Sequence, residues 1–143
     1  MSYEFLPEIA IADQAFRASG KTLEEVFVSA GDAVTNTMID DLGAIEPKKR
    51  RSLHLENAAL DLLLFDFLQE IIYLKDSEQL LLRLERAQIR EIHGKHVFDG
   101  ELAGEKLDPA RHSQRVDVKA VTLHRFNLEK TAAGWSATVI LDI

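Results

Sequence analysis

The chain has 143 residues, a length that fits a single domain over residues 1–143 with its own hydrophobic core. Hydrophobic residues make up 46% and charged residues 29%, which is typical of a folded protein and argues against disorder. The formal net charge of −7 disfavours strong non-specific nucleic-acid binding, and the absence of cysteine excludes disulfides, thiolate metal sites and cysteine nucleophiles.

The chain contains no pattern of a targeting segment or a membrane span. Met1–Phe5 lacks the positive start and the apolar run of a signal peptide. The most apolar stretch, Leu60–Leu74, is interrupted by Asp61, Asp66 and Glu70, and a span needs about 20 apolar residues. These features predict a cytoplasmic protein that does not contact a membrane.

The first predicted helix begins after Thr22 and ends by residues 40–43. Thr22 and Glu25 have the spacing of a capping box, in which each side chain accepts a hydrogen bond from a backbone N–H at the start of the helix. Gly20 is expected in the turn that leads out of a preceding strand. The apolar residues that follow have helical spacing: Leu23, Val26, Phe27, Ala30, Val34, Thr37 and Met38.

A strand over residues 51–56 and a second helix are predicted next. Asn57 is a candidate cap for this helix, whose apolar residues form a broad face that predicts a central position against a sheet. The face comprises Leu60, Leu63, Leu64, Phe67, Leu68, Ile71 and Ile72.

The remaining third of the chain has mainly strand patterns. Residues 80–92 contain strand-like stretches, although residues 80–82 are equally compatible with a short helix, and Gly94 indicates a hairpin turn. Residues 116–126 form the clearest predicted strand, and residues 135–143 form the last one. The order of elements predicts an α+β domain with two helices packed on a mainly antiparallel or mixed β-sheet.

The common catalytic and phosphate-binding motifs are absent from the sequence. His93 and His96 flank a predicted hairpin turn. His124 is predicted on the same strand face as several apolar residues, where a core or rim position competes with a ligand role. The basic run Lys48–Arg51 is compatible with a phosphate backbone and, more commonly, with a solvated loop that enters a strand.

Two aspartates lie in apolar surroundings. Asp13 follows residues 9–12, and Asp142 lies between Leu141 and Ile143, beside the terminal carboxylate. An isolated carboxylate among apolar residues is costly unless a cation or hydrogen-bond donors compensate it. If the fold brings the two chain ends together, three carboxylates meet, and a hard cation or a lysine is needed to neutralise them.

Several blocks along the chain are similar to one known family. They are Tyr3–Leu6, Ala12–Asp13, Gly20–Phe27, Leu63–Asp76, Ala103–Asp108, Val118–His124 and Val139–Ile143. In this order and over nearly the whole chain, they resemble the archease family, and the most specific blocks are Val118–His124 and the terminal Asp142–Ile143.

This resemblance implies an archease-like fold and an accessory role for an RtcB-type RNA ligase, not an enzyme activity. Such proteins promote guanylylation and multiple turnover of the ligase in tRNA splicing or RNA repair, and RNA is contacted only indirectly, through the ligase. The resemblance also implies a divalent-cation site, Ca²⁺ or Mg²⁺, with Asp13, Asp142 and the Ile143 carboxylate as ligands. Lys119 and His124 are expected near that site.

The N-terminal motif departs from the usual family pattern. The family commonly has Glu-His-Thr-Ala-Asp-Ile-Gly, whereas Ala10 and Ile11 stand at the His and Thr positions here. We therefore expect weaker metal binding. Two alternatives to ligase activation remain: a small metal-dependent hydrolase, for which His124 is the only candidate base, and a divergent binding domain that has lost ligase activation.

Overall fold

A computed structural model describes residues 1–7 and 14–143 of the chain. Its helices are α1, Leu23–Met38, and α2, Leu60–Glu78, with a short 3-10 helix at Leu42–Ala44. Its strands are β1, Ser2–Phe5; β2, Gln14–Gly20; β3, Lys49–Asn57; β4, Leu80–Ile92; β5, Lys95–Lys106; β6, Ala120–Val121; β7, Asn127–Thr131; and β8, Gly134–Asp142.

The described strands form two antiparallel sheets. In the first, the order is β1-β2-β8-β6, and β7 also pairs with β8. In the second, the order is β3-β5-β4, and β4 and β5 form the hairpin that turns at Gly94, as predicted. The predicted α+β class is confirmed, while the division of the strands into two sheets was not predicted from the sequence.

Both helices lie against the sheets and enclose one main core. Three fully buried aromatic rings mark its centre, namely Phe27 of α1, Phe67 of α2 and Phe98 of β5, with ring centroids 5.0–5.6 Å apart. Each ring comes from a different element, so this contact joins both helices to the second sheet. The broad apolar face predicted for the second helix is therefore confirmed as a central packing surface.

The predicted start of α1 is confirmed in atomic detail. The Glu25 N–H donates to Thr22 Oγ1 at 3.1 Å, and Glu25 Oε1 accepts from the Lys21 N–H at 3.1 Å. Helix α2 begins two residues later than the sequence indicated. Ala59 is its N-cap residue, and Asn57 Oδ1 accepts from the Ala59 N–H at 3.0 Å, so Asn57 shapes the turn before the helix.

The end of α2 shows whether residues 80–82 belong to a helix or to a strand. Gln79 has a left-handed backbone conformation with φ of 55°, which ends the helix and allows β4 to begin at Leu80. Leu80, Leu81 and Leu82 are all buried in the core. They are therefore strand residues.

The prediction of a continuous strand over residues 116–126 is wrong. Only Ala120 and Val121 form a strand paired with β8, and the Lys119 and Thr122 N–H groups on either side also donate to Asp142 and Ile140 of β8, at 2.8 and 3.0 Å. The Arg115 and Val116 N–H groups donate to Met38 and Thr37 at the end of α1, at 2.9 and 3.4 Å. Beyond β6 the chain turns, so alternating β-branched residues were not sufficient to produce a long strand.

None of the helices in the described part of the chain is long and apolar enough to cross a membrane.

Candidate functional site at the end of the last strand

Strand β8 brings Asp142 to the surface at the end of the first sheet. Leu141 is fully buried, Asp142 is exposed, and Ile143 is partly buried against the main core. Neighbouring residues of a strand point to opposite faces, so Asp142 shares its face with the buried Ile140, and strand alternation alone does not account for the exposure of Asp142. Asp142 pairs with Ala120 of β6 in the antiparallel ladder.

Lys119 lies directly beside this strand end. Its backbone N–H donates to the Asp142 carbonyl oxygen at 2.8 Å, and its residue is exposed. The backbones of Lys119 and Asp142 are therefore adjacent, as expected. No hydrogen bond or ion pair links the Lys119 ammonium to a described residue.

Helix α2 holds the segment that carries Lys119. Gln69 Oε1 accepts from the Val121 N–H at 2.8 Å, and Lys75 Nζ donates to the Val118 carbonyl oxygen at 3.1 Å. Lys75 is buried and also contacts Asp117 Oδ1 at 2.6 Å. These contacts position the segment on both sides of Lys119 and leave that side chain outside.

Charge pairing keeps the buried Lys75 ionised. Burial lowers the pKa of Lys75, but the hydrogen bonds from its ammonium to Asp117 and Asp76 raise it by more, so the net shift is upward. The ammonium therefore remains charged at neutral pH and serves a structural role beside Val118.

His124 does not occupy the position predicted for it. It lies in the turn formed by residues 123–126, where the Phe126 N–H donates to the Leu123 carbonyl oxygen at 3.2 Å. The following Arg125 has a φ of 55°. His124 is exposed instead of sharing a strand face with apolar residues, and it makes no hydrogen bond to Asp142 or Lys119.

Asp13, the first predicted metal ligand, lies outside the described residues, as do Ala10 and Ile11. The neighbouring Gln14 is described and is the Cα partner of Leu141, the residue before Asp142. Within residues 1–7 and 14–143, no three His, Asp or Glu side chains are grouped so that they could hold a metal ion. The ligand set Asp13, Asp142 and Ile143 stays a prediction.

The comparison with known proteins identifies the family. The model of the archease protein family matches residues 3–143. The chain belongs to the archease family. It is 37% identical to the protein archease of Methanosarcina mazei over 142 residues, which cover 99% of this chain and 95% of that protein. It is 35% identical to the protein archease of Pyrococcus furiosus over 133 residues, 92% of this chain and 93% of that protein.

Solved structures of similar proteins confirm the archease fold. Protein 1598 of Methanobacterium thermoautotrophicum matches with a TM-score of 0.85 and 31% identity, covering 99% of this chain and 98% of that one. An archease from Thermotoga maritima, described as a possible chaperone, matches with a TM-score of 0.60 over 94% and 93% of the chains. At 17% identity, the second likeness concerns the fold alone.

Sequence analysis missed a buried polar cluster in this archease-family chain. Glu105 is 4% exposed, and its two oxygens accept from Arg111 Nη1 and Nη2 at 2.7 Å each. The Glu46 N–H donates to Glu105 at 2.7 Å, and His112 Nε2 lies 3.1 Å away. Charge-assisted bonds from Arg111, together with those from Glu46 and His112, hold the pKa of Glu105 well below its usual range although burial raises it.

The tautomer of His112 follows from its two contacts. His112 is 1% exposed, and its Nδ1 accepts from the Asp108 N–H at 2.8 Å, so the proton resides on Nε2 and is directed at Glu105. The sequence block Ala103–Asp108 pointed to this region only through the family resemblance. The spacing of Glu105 and Arg111 gave no signal, because a loop brings them together.

A second charged group lies on the β3-β5-β4 sheet. His54 contacts Asp99 at 2.6 Å and Glu56 at 2.8 Å, and these two hydrogen bonds raise the pKa of His54. Arg90 contacts the other Asp99 oxygen at 3.0 Å. These side chains satisfy one another at the surface, so we interpret the group as a solvated ion-pair network of the sheet.

Proposed function

We propose that this archease-family protein is an accessory protein that activates an RtcB-type RNA ligase. It would promote guanylylation and multiple turnover of the ligase without catalysing the joining reaction itself. Family membership supports this proposal, and the description of the Thermotoga maritima relative as a possible chaperone is compatible with a protein partner. A cytoplasmic location would follow from the same role.

The observation that carries the proposal is the arrangement at the end of β8. Asp142 and Lys119 are held next to each other through one backbone hydrogen bond, and both are exposed. Because Lys75 and Gln69 of α2 hold the backbone on both sides of Lys119, this strand end is a supported contact point that carries one exposed acid and one exposed base. Such a point suits docking to a charged pocket of a partner better than chemistry on a substrate.

The proposed cation site fits the chemistry of its donors. Asp13, Asp142 and the Ile143 carboxylate would supply only oxygen atoms, which favours Ca²⁺ or Mg²⁺ over softer metals. Chain connectivity supports the pairing of the two aspartates. Asp13 precedes Gln14 and Asp142 follows Leu141 in the sequence, and Gln14 and Leu141 are paired across β2 and β8. When bound, the cation would neutralise these carboxylates. Lys119 would balance their charge or contact an acidic or phosphate group of the ligase.

Guanylylation of the ligase with labelled guanosine triphosphate tests the proposal. We expect the wild-type chain to stimulate guanylylation, and Asp142→Asn and Asp13→Asn to lose most of this stimulation. Glu129→Gln is the matched control, because Glu129 is an exposed acid on the adjacent strand β7 and its replacement changes the net charge equally. Full stimulation by Asp142→Asn would refute the role of the strand end.

Two further measurements separate the alternatives. A C-terminal extension after Ile143 should reduce stimulation, because it removes the terminal carboxylate while leaving β8 paired. If an extended chain binds Ca²⁺ and stimulates the ligase normally, the Ile143 carboxylate is not a ligand. Turnover of a phosphoester by the isolated chain would favour a hydrolase, and a chain that does neither would be a binding domain without ligase activation.

A further inference from the structure

A cavity of about 300 Å³ lies between the start of β3 and the end of β5. The loop that contains Arg111 closes it on a third side. Its charged lining comprises Lys48, Lys49, Lys106 and Arg111 as cations and Glu105 and Asp108 as anions. The lining therefore has a net charge of +2 in a chain whose formal net charge is −7.

The buried carboxylate in this lining is already satisfied. Arg111, the Glu46 N–H and His112 occupy both Glu105 oxygens. Lys48 lies 3.7 Å from Glu105, a longer contact than its 3.1 Å pair with Glu46. Glu105 therefore fixes the wall of the cavity and orients the guanidinium, and the lysines are not needed to compensate it.

Two lysines of the cavity are not paired with an acid of the described residues. Lys49 and Lys106 are exposed, and neither forms an ion pair with an acid of the described residues. Lys49 is the Cα partner of Gly104, and Lys106 lies two residues further along β5, so the two lysines are diagonal neighbours on one face of the sheet. Such unpaired ammonium groups repel each other unless an anion lies between them.

The two arginines of the basic run, unlike Lys49, form ion pairs with acids. Arg50 pairs with Glu85 on β4, and Arg51 Nη2 contacts Glu78 of α2 at 2.7 Å. The run Lys48–Arg51 is therefore divided between two arginines that serve internal ion pairs and two lysines that line the cavity. The cavity also places Lys106 and Arg111, from elsewhere in the chain, beside these lysines, which is not expected of a basic run that is only a solvated loop.

The cavity is adjacent to a smaller one. Leu107 lines it and also lines a smaller cavity with Lys75 and Asp117, two residues before Lys119. The Leu107 N–H donates to the Gln79 carbonyl oxygen at 2.7 Å, at the C-terminus of α2. The two cavities are therefore neighbours, and the smaller one lies beside the segment that precedes Lys119.

We infer that this cavity binds backbone phosphates of single-stranded RNA. Lysine ammonium groups are suited to phosphate oxygens as mobile point charges, and several of them along a strand bind RNA largely through the release of counterions. The choice of RNA among phosphate-bearing ligands rests on the proposed function. It implies that the protein contacts the RNA directly as well as through its ligase partner.

Fluorescence anisotropy of a labelled single-stranded RNA with the isolated chain tests the inference. We expect binding at about 50 mM salt that weakens as salt rises. The double variant Lys49→Gln/Lys106→Gln should lower the affinity for RNA by about tenfold or more. The plot of the logarithm of the association constant against the logarithm of the salt concentration should become less steep by about 1.4. The matched control is Lys21→Gln/Lys130→Gln, which removes two exposed lysines elsewhere and should change both values much less.

The outcomes distinguish the inference from simpler ones. Equal losses in the two double variants would refute it, since only net charge would then matter. Displacement of RNA by polyglutamate as readily as by unlabelled RNA would refute selectivity for phosphate. If inorganic phosphate binds the chain but RNA does not, RNA is not the ligand of this cavity. Because no ligase is present, these results do not depend on the guanylylation assay, which tests the proposed function separately.

Discussion

Replacing the buried Glu105 by glutamine should destabilise the fold. Glu105 accepts two bonds of 2.7 Å from Arg111, one of 2.7 Å from the Glu46 N–H and one from His112 at 3.1 Å. A glutamine has one acceptor oxygen, and its amide NH₂ would face donors of the same kind. At least one bond from Arg111 is therefore lost, and the others lose their ionised acceptor, in a side chain that is 4% exposed.

The expected loss is about 3 kcal/mol in the free energy of unfolding at neutral pH. Breaking a buried charged pair costs about 3–5 kcal/mol, and the lower end applies because the Arg111 side chain is 38% exposed and can be rehydrated. For a domain of this size, about 3 kcal/mol corresponds to a decrease of roughly 6–12 °C in Tm. Urea unfolding and thermal denaturation both measure the change.

The pH dependence of this loss identifies its cause. Because the folded-state pKa of Glu105 lies below its ordinary value of 4.5, its ionised form stabilises the protein fully above that pH. The contribution is lost as the pH falls below 4.5 toward the folded-state pKa. The difference in stability between wild type and Glu105→Gln should therefore shrink in acid.

A control on the same strand separates this effect from a general effect of charge. Glu101→Gln removes an equal charge from β5, where Glu101 accepts side-chain hydrogen bonds only from the Ser52 hydroxyl among the described residues, at 2.8 and 3.0 Å. Its replacement should change the free energy of unfolding by less than about 1 kcal/mol. If Glu105→Gln is no more destabilising than this control, or if its deficit does not vary with pH, the cluster is not held by the ionised carboxylate.

Three other substitutions test the contacts that position the site and the core. Lys75→Met removes the ammonium that contacts the segment before Lys119, so amide exchange of the Lys119 N–H should accelerate; unchanged exchange would show that Lys75 does not hold it. Gly104→Ala places a Cβ 1.8 Å from the Leu81 carbonyl oxygen and should lower Tm sharply, whereas an unchanged Tm would contradict the strand packing. Phe67→Ala should cost about 3–5 kcal/mol in urea unfolding, and a loss below about 1 kcal/mol would place this ring outside the core.

Local signals in the sequence were sufficient for both helices and the final strand. Thr22 and Glu25 form the predicted capping box, because such a cap involves residues only three positions apart. The apolar spacing of α2 correctly predicted a central helix, since the same side chains are buried in any fold that places this helix against a sheet. The blocks that resembled the archease family also identified the fold correctly.

Signals that depend on distant residues were less informative. Strand pattern alone predicted residues 116–126 as one strand, but the Arg115 and Val116 N–H groups donate to the end of α1, and only Ala120 and Val121 form a strand. The sequence could not indicate this competition for backbone hydrogen bonds, because the acceptors on α1 lie 77 to 79 positions away in the chain.

The sequence by itself determined the composition, the helices, the capping of α1 and the family of this protein, because these follow from neighbouring residues or from the order of blocks along the chain. Only the tertiary structure decided which charges remain available to a partner. Arg50 and Arg51 form ion pairs with acids of β4 and α2. Lys49 and Lys106 line one cavity and form no ion pair with an acid of the described residues. Coulomb interactions depend on distance in space, and the fold alone sets the distance between residues far apart in the chain.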